Sequence, residues 1–289
     1  MILSNRGGYS TQGHHNAAHD DKALQCRPLQ TPSSWPNHDM CHAMLLPSLY
    51  APSAGRSIPA DDMNDQQKTT VHLPFSDKYT DSHSQEYFQK HNEKKFSDRM
   101  EHRMAQRALA LAGNPSSVLD LPCGTGRFWS MLAQDPKREL LAADYSEAML
   151  EVARTTRDPS VVQRFRLLQC SAFEITLPDD SVDCIFCIRL MHHIGDSTNR
   201  VAMLREFHRV SRDTVVLSLW VNGNYKAWRR RRLEDARRQR GENSDNRFIV
   251  PRAQFEQECR EAGFEIVGHV DFLPRLFMWR AYVLRKKTI

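Results

Sequence analysis

Short apolar runs alternate with longer amphipathic segments along the second half of the chain, and this alternation predicts most of its elements. Strands are expected over Val118–Leu121, Leu140–Asp144, Phe165–Gln169, Cys184–Arg189 and Thr214–Trp220, with helices over Phe128–Leu132, Ala148–Thr155 and Arg200–Val210 between them. Strand–helix–strand repetition implies right-handed crossovers and a parallel sheet. Upstream, Ser84–Phe96 and Asp98–Ala112 read as two helices, with Asp98 an N-cap and Met104, Leu109 and Leu111 spaced to pack on a sheet. Gly113-Asn114-Pro115 stops the second of them. Downstream, Pro251 opens a last helix that Gly263 closes, and Glu265–Phe272 and Met278–Arg285 form two strands joined through Pro274.

Composition changes this picture at one end. Ser, Pro, Asn, Asp and His are scattered over residues 1–75 without helical or strand period, so that stretch is expected to be a disordered extension, with one folded domain over 76–289. Met44-Leu45-Leu46-Pro47 is too short and broken for a secretory signal, and Asp20-Asp21 argue against an organelle presequence. No apolar run is long enough to cross a membrane. Several of the seven cysteines fall inside apolar strands, which fits buried reduced thiols and a cytoplasmic protein. The pair Cys184 and Cys187 lies within a strand, which disfavours a redox or zinc role, and no metal site is expected.

The chemistry concentrates at two strand ends. The first strand runs into Asp120-Leu121-Pro122-Cys123-Gly124-Thr125-Gly126, and the second ends in Asp144-Tyr145. Gly124 and Gly126 permit a sharp turn and a close approach of backbone to ligand. Asp144 stands where a ribose can donate two hydroxyl hydrogen bonds. A dinucleotide loop would read G-x-G-x-x-G and bring a helix N-terminus onto a pyrophosphate. Here Pro122 occupies the first glycine position and Asp120 would repel phosphate, whereas a carboxylate suits an ammonium group. A nucleoside joined to an amino acid fits better than a dinucleotide.

These residues resemble the first motif, acid-x-x-x-G-x-G, of the class I S-adenosylmethionine-dependent methyltransferases. The resemblance runs from Val118 to the C-terminus, and Leu177-Pro178-Asp179-Asp180-Ser181-Val182-Asp183 is similar to the branch that includes ubiquinone-type enzymes. It implies a Rossmann-like three-layer α/β/α sandwich on a mostly parallel seven-stranded sheet with an antiparallel C-terminal strand. It also implies S-adenosylmethionine as cofactor, touching Asp120, Pro122, Cys123, Gly124, Thr125, Gly126, Asp144, Tyr145, Ser171, Ala172 and Arg189. Many relatives carry an Asp where Ser171 stands. His192 and His193, just past the fourth strand, are candidates for a general base or for mere packing. Arg189 is equally suited to holding an acidic group of the acceptor or capping the strand end.

An insertion over residues 221–250 carries Lys226, Arg229, Arg230, Arg231, Arg232, Arg237, Arg238 and Arg240 beside Trp220, Tyr225 and Trp228. It reads either as a solvated basic helix or as a docking face for an anionic acceptor or surface, with Trp228, Arg230 and Arg231 the candidate substrate contacts. The expected acceptor is a small or lipid-like, anionic molecule. A nucleic-acid methyltransferase is disfavoured because no N-P-P-[YF]-like tetrad follows the fourth strand. A protein acceptor and a non-catalytic binder of the cofactor stay open.

Overall fold

A computed structural model describes residues 96–241 and 246–287. The expected extension over 1–75 and nearly all of the first expected helix lie outside the described residues. Within them the strands are β1 (Ser117–Asp120), β2 (Glu139–Asp144), β3 (Phe165–Gln169), β4 (Val182–Cys187), β5 (Ser211–Val221), β6 (Ile249–Val250), β7 (Phe264–Asp271) and β8 (Trp279–Lys286). The helices are α1 (Phe96–Leu111), α2 (Trp129–Leu132), α3 (Glu147–Thr156), α4 (Pro159–Val162), α5 (Ser197–Val210), α6 (Tyr225–Gln239) and α7 (Arg252–Glu261), with one 3-10 turn at Met191–His193.

Seven strands pair in the order β3-β2-β1-β4-β5-β8-β7, and β6 adds a short parallel pairing to the end of β5. β1 to β5 run parallel, while β8 is antiparallel to both of its neighbours. Successive residues on a strand point to opposite faces, and that rule sorts the core in two. Leu119, Ile185, Cys187, Val215 and Leu217 pack with Phe207 of α5 and Phe255 of α7. Their neighbours Val118, Cys184, Phe186 and Val216 pack with Met104 of α1, Trp129 of α2 and Leu150 of α3. The sheet is therefore covered on both faces, which explains why its central strands read as unbroken apolar runs. Cys184 and Cys187 consequently face opposite layers, both fully buried as free thiols. Burial pushes the Cys184 thiol up to about 12.

Several local expectations change in detail. α1 begins at Phe96, so Asp98 lies in its first turn rather than capping it, and its carboxylate pairs with Arg127 at 2.6 Å. Ser146 caps α3, its side chain accepting from the Met149 N–H. β4 ends at Cys187, two residues before Arg189. The Asp-rich segment before β4 serves the opposite end of the sheet from the glycine loop. Asp183 accepts from the Ser117 N–H at 2.9 Å and from Arg212 at 2.8 Å, and Asp179 pairs with Arg209 at 2.8 Å.

Candidate functional site

The tips of β1 and β2 are adjacent because Asp120 pairs in register with Ala142, two residues before Asp144. Between them the loop turns through Gly124 (φ +53°) and Gly126 (φ +69°), a left-handed region that glycine enters without steric cost. The two glycines have different reasons. A Cβ on Gly126 would lie 2.7 Å from the Trp129 indole, so Gly126 lets α2 close onto the loop. A Cβ on Gly124 would meet nothing within 4 Å among the described residues, so Gly124 takes its place for its backbone conformation and not for a close neighbour.

Asp144 is fixed by backbone. Its Oδ2 accepts from the Gly124 N–H at 2.8 Å and its Oδ1 from the Ser146 N–H at 2.9 Å. A carboxylate offers about four lone-pair sites, so each oxygen keeps acceptor capacity for a ligand. Burial pushes the carboxyl up to about 6, against the pull of the Ser146, Gly124 and Tyr145 backbone groups. Asp120 is 1% exposed and its Oδ2 has no hydrogen-bond partner among the described residues. Burial, reinforced by the neighbouring Asp144 charge, raises its pKa well above the usual carboxylate range. Two acids that resist ionisation side by side make a place where a cation is welcome.

The other expected donor-side residues surround this loop. Cys123 is buried and its N–H donates to the Ala143 carbonyl at 2.8 Å, stitching the loop to β2 after Pro122. Thr125 is buried, and its carbonyl accepts from Arg157 Nε at 2.7 Å. Tyr145 stands at the lip, exposed. Ser171 and Ala172 follow β3, and the Ser171 hydroxyl accepts from the Phe173 N–H at 3.2 Å, holding a tight turn.

Arg189 is placed differently from the loop residues. It adopts φ +72°, its N–H donates to Ser218 Oγ at 3.0 Å, and its side chain reaches Glu101 of α1 at 3.4 Å and lies over the Trp279 ring at 5.4 Å. Glu101 also pairs with Arg127 at 2.7 Å, so α1, the glycine loop and the β4 tip share one charge cluster. Nothing local in the sequence announces Glu101, because its partners lie far along the chain.

His192 is 3% exposed and its Nδ1 has no hydrogen-bond partner among the described residues. Its ring stacks on Trp220 at 4.9 Å and meets Trp279 edge-on at 4.7 Å. Burial, together with His193 and the charges of Arg189, Arg247 and Arg230, holds it well below the usual histidine range, so the imidazole is neutral. His193 is half-buried, and its Nδ1 lies 3.0 Å from the Asn246 carbonyl. A carbonyl only accepts, so that nitrogen carries a proton. The turn bearing both histidines is locked by a buried pair that the sequence did not disclose. Arg200 forks onto Glu258 at 2.8 and 2.6 Å and donates to the Ile194 and Gly195 carbonyls at 2.9 Å each.

Of the three substrate candidates, α6 separates one from the other two. Arg230 turns inward, pairing with Glu234 at 2.7 Å and lying over the Trp220 ring at 4.5 Å. Trp228 and Arg231 point elsewhere and line a cleft of about 470 Å³ with Asn222, Asn224 and Tyr225. Trp279, which bridges His192 and Arg189, was not singled out in the sequence; its pairing with Trp220 across β5 and β8 appears only once the sheet is assembled.

Comparison with known proteins agrees with this geometry. Residues 118–214 match the methyltransferase domain family. A demethylmenaquinone methyltransferase of Deinococcus radiodurans is 32% identical over 101 residues, covering 35% of this chain and 42% of that protein. An uncharacterised methyltransferase-like protein of Schizosaccharomyces pombe is 31% identical over 112 residues, covering 38% and 39%. The chain thus spans less than half the length of these curated relatives. The structure of a magnesium protoporphyrin IX methyltransferase from Synechocystis, with bound S-adenosylhomocysteine, superposes with a TM-score of 0.52 at 15% identity, over 65% of this chain and 84% of that one. Loop, sheet order and domain match converge on the same residues, and residues 118–214 of this chain form a methyltransferase domain.

Proposed function

We propose that the protein transfers the methyl group of S-adenosylmethionine to a small-molecule or lipid-like acceptor that carries negative charge. The observation that carries this reading is the cradle at Gly124 and Asp144. Two backbone N–H groups orient the carboxylate while leaving acceptor capacity for two ribose hydroxyls, beside a glycine with open space. An ammonium group at the loop would offset the repulsion between Asp120 and Asp144. When bound, the sulfonium supplies a methyl group already activated by its positive charge.

The residues then have to align an acceptor and exclude water. His193, half-buried where His192 is enclosed, is the better placed of the two histidines to meet a hydroxyl acceptor, while the neutral His192 serves as a wall of the site. Support for an anionic acceptor comes from Arg230 and Arg247, whose guanidinium groups lie 4.5 and 5.8 Å from the Trp220 ring. A demethylmenaquinone methyltransferase among the matched relatives agrees with a lipid-like acceptor.

Calorimetry with S-adenosylmethionine tests the cradle. Asp144→Ala removes two charge-assisted hydrogen bonds worth roughly 1.5–3 kcal/mol each, so affinity should fall about a hundredfold or more while the fold survives. Undiminished affinity would remove Asp144 from the site. Transfer of labelled methyl to fractionated lipid, small-molecule, RNA and protein pools then identifies the acceptor class, and exclusive labelling of RNA or protein would reject the lipid-like one.

A further inference from the structure

The face of α6 turned away from the sheet mixes apolar and cationic side chains. Tyr225, Trp228, Arg229, Arg232 and Leu233 follow the i, i+3, i+4, i+7, i+8 spacing that places residues on one helical stripe, and all five are exposed. Tyr225, Trp228 and Leu233 are 50%, 55% and 53% exposed, large values for side chains of that size. Ala227, the helix's buried residue, and the paired Arg230 and Glu234 occupy the opposite side. The Arg232 guanidinium lies over the Trp228 ring at 5.1 Å, so cation and aromatic already share one surface. Leu276, 45% exposed, extends the patch at the helix start, where its carbonyl accepts from the Lys226 N–H at 3.0 Å.

Charge reinforces the pattern. α6 holds seven Lys and Arg against two Asp and Glu, an excess of five, and the whole chain carries a net charge of +5. The rest of the chain therefore balances to zero, and the net excess of the chain equals that of this helix. A solvated surface helix has no reason to leave two aromatic rings and a leucine in water among its cations, because each exposed ring forfeits the free energy of burial.

We propose that this face of α6 docks the protein on an anionic lipid bilayer. Guanidinium groups meet phosphate or carboxylate headgroups, with an attraction of about 1 kcal/mol per basic residue near such a surface. Tyr225, Trp228, Leu233 and Leu276 enter the boundary between headgroups and acyl chains, where aromatic and aliphatic side chains settle together. Single-stranded RNA would engage the arginines and the rings but would leave Leu233 and Leu276 in water, so the bilayer is the occupant that uses the whole face. The cleft bounded by Asn222, Trp228 and Arg231 opens beside the stripe and has room for one headgroup. α6 follows β5 at the end of the parallel strands that carries the donor cradle, so docking brings that end of the sheet to the membrane. The inference rests on the lipid-like acceptor reading for its purpose, though not for its physics.

The test is co-sedimentation of the full chain with phosphatidylcholine vesicles, pure or mixed with phosphatidylglycerol, alongside calorimetry with S-adenosylmethionine. Binding to the anionic vesicles should exceed binding to neutral ones by roughly tenfold or more. Arg229→Gln with Arg232→Gln should weaken it about tenfold or more, and Trp228→Ser with Leu233→Ser should weaken it comparably. All these residues are exposed, so cofactor affinity and melting temperature should stay at the parent values in both variants. Equal binding to neutral and anionic vesicles, parental binding by both variants, or tighter binding to oligouridine than to anionic vesicles would overturn the proposal. Docking that persists in a protein unable to bind S-adenosylmethionine would instead sink the methyl-transfer reading and leave the docking face standing.

Discussion

The donor cradle and α6 use charged residues in opposite ways. In the cradle the acids are few and buried at strand ends, and Asp144 is oriented by backbone N–H groups. On α6 the cations are many and most stand in solvent, and apart from Ala227 no residue of the helix is buried. Burial makes each cradle acid costly to ionise and sensitive to what lies beside it. Exposure makes each α6 cation individually cheap and effective only in number. The first arrangement suits recognition of one small ligand by position, and the second suits attraction of a diffuse anionic target.

The strongest way to break this contrast is to treat a buried arginine as though it were a surface one. Glu258→Gln leaves Arg200 without its counter-charge at 2% exposure, and stability should fall by about 3–5 kcal/mol in denaturant unfolding. A loss below about 1 kcal/mol would show that the His192–Gly195 turn does not depend on the pair.

Gly126→Ala comes next. The new Cβ would press on the Trp129 indole from 2.7 Å in a left-handed backbone, and the expected cost is about 1–3 kcal/mol. Ala at Gly124 suffers the same backbone penalty without the clash, so cofactor affinity should suffer there more than stability does. Reversal of that order would mean that the two glycines have been assigned the wrong tasks.

A pH titration sharpens the contrast further. The Asp144 carboxyl, raised to about 6, is ionised above that pH and protonated below it. Protonation removes acceptor capacity, so cofactor affinity should weaken as pH falls through 6, by up to about tenfold per unit below it. Asp144→Asn should abolish this dependence. His192 acts in the same range on stability. Its pKa is lowered in the folded state, so its neutral form favours folding above the ordinary histidine value, and that contribution is lost progressively as pH drops below about 6.5. His192→Phe, which keeps an aromatic ring against Trp220, should flatten the stability profile between pH 7 and 5 without altering the titration of cofactor binding.

The smallest expected effect belongs to α6. Replacing Arg230, Arg231 and Arg232 together with Gln should change stability by only a few tenths of a kcal/mol per exposed position. Any excess should trace to Arg230, which alone of the three faces Trp220 and Glu234. Cofactor binding should be unaltered and the acceptor KM raised, with the difference shrinking in high salt. A KM indifferent to the triple change would leave α6 without a part in acceptor recognition.

The amino-acid sequence by itself determined the order of the main strands and helices and the residues of the glycine loop. Each β1–β4 run, the Gly124–Gly126 turn and the acids at 120 and 144 depend on neighbours a few residues away, through apolar periodicity and glycine's access to positive φ. Local signals erred at an edge, where α1 begins before Asp98, and missed the short α4 and the two-residue β6. Tertiary structure decided everything that joins distant segments. It set Glu258 against Arg200, gathered Glu101, Arg127 and Arg189 into one cluster, enclosed His192 between Trp220 and Trp279, and turned Arg230 inward while leaving Trp228 outside. Ion pairs and aromatic contacts form between side chains that no periodicity relates, and burial, which fixes whether a histidine is charged or an arginine is wet, exists only once the layers have closed over the sheet.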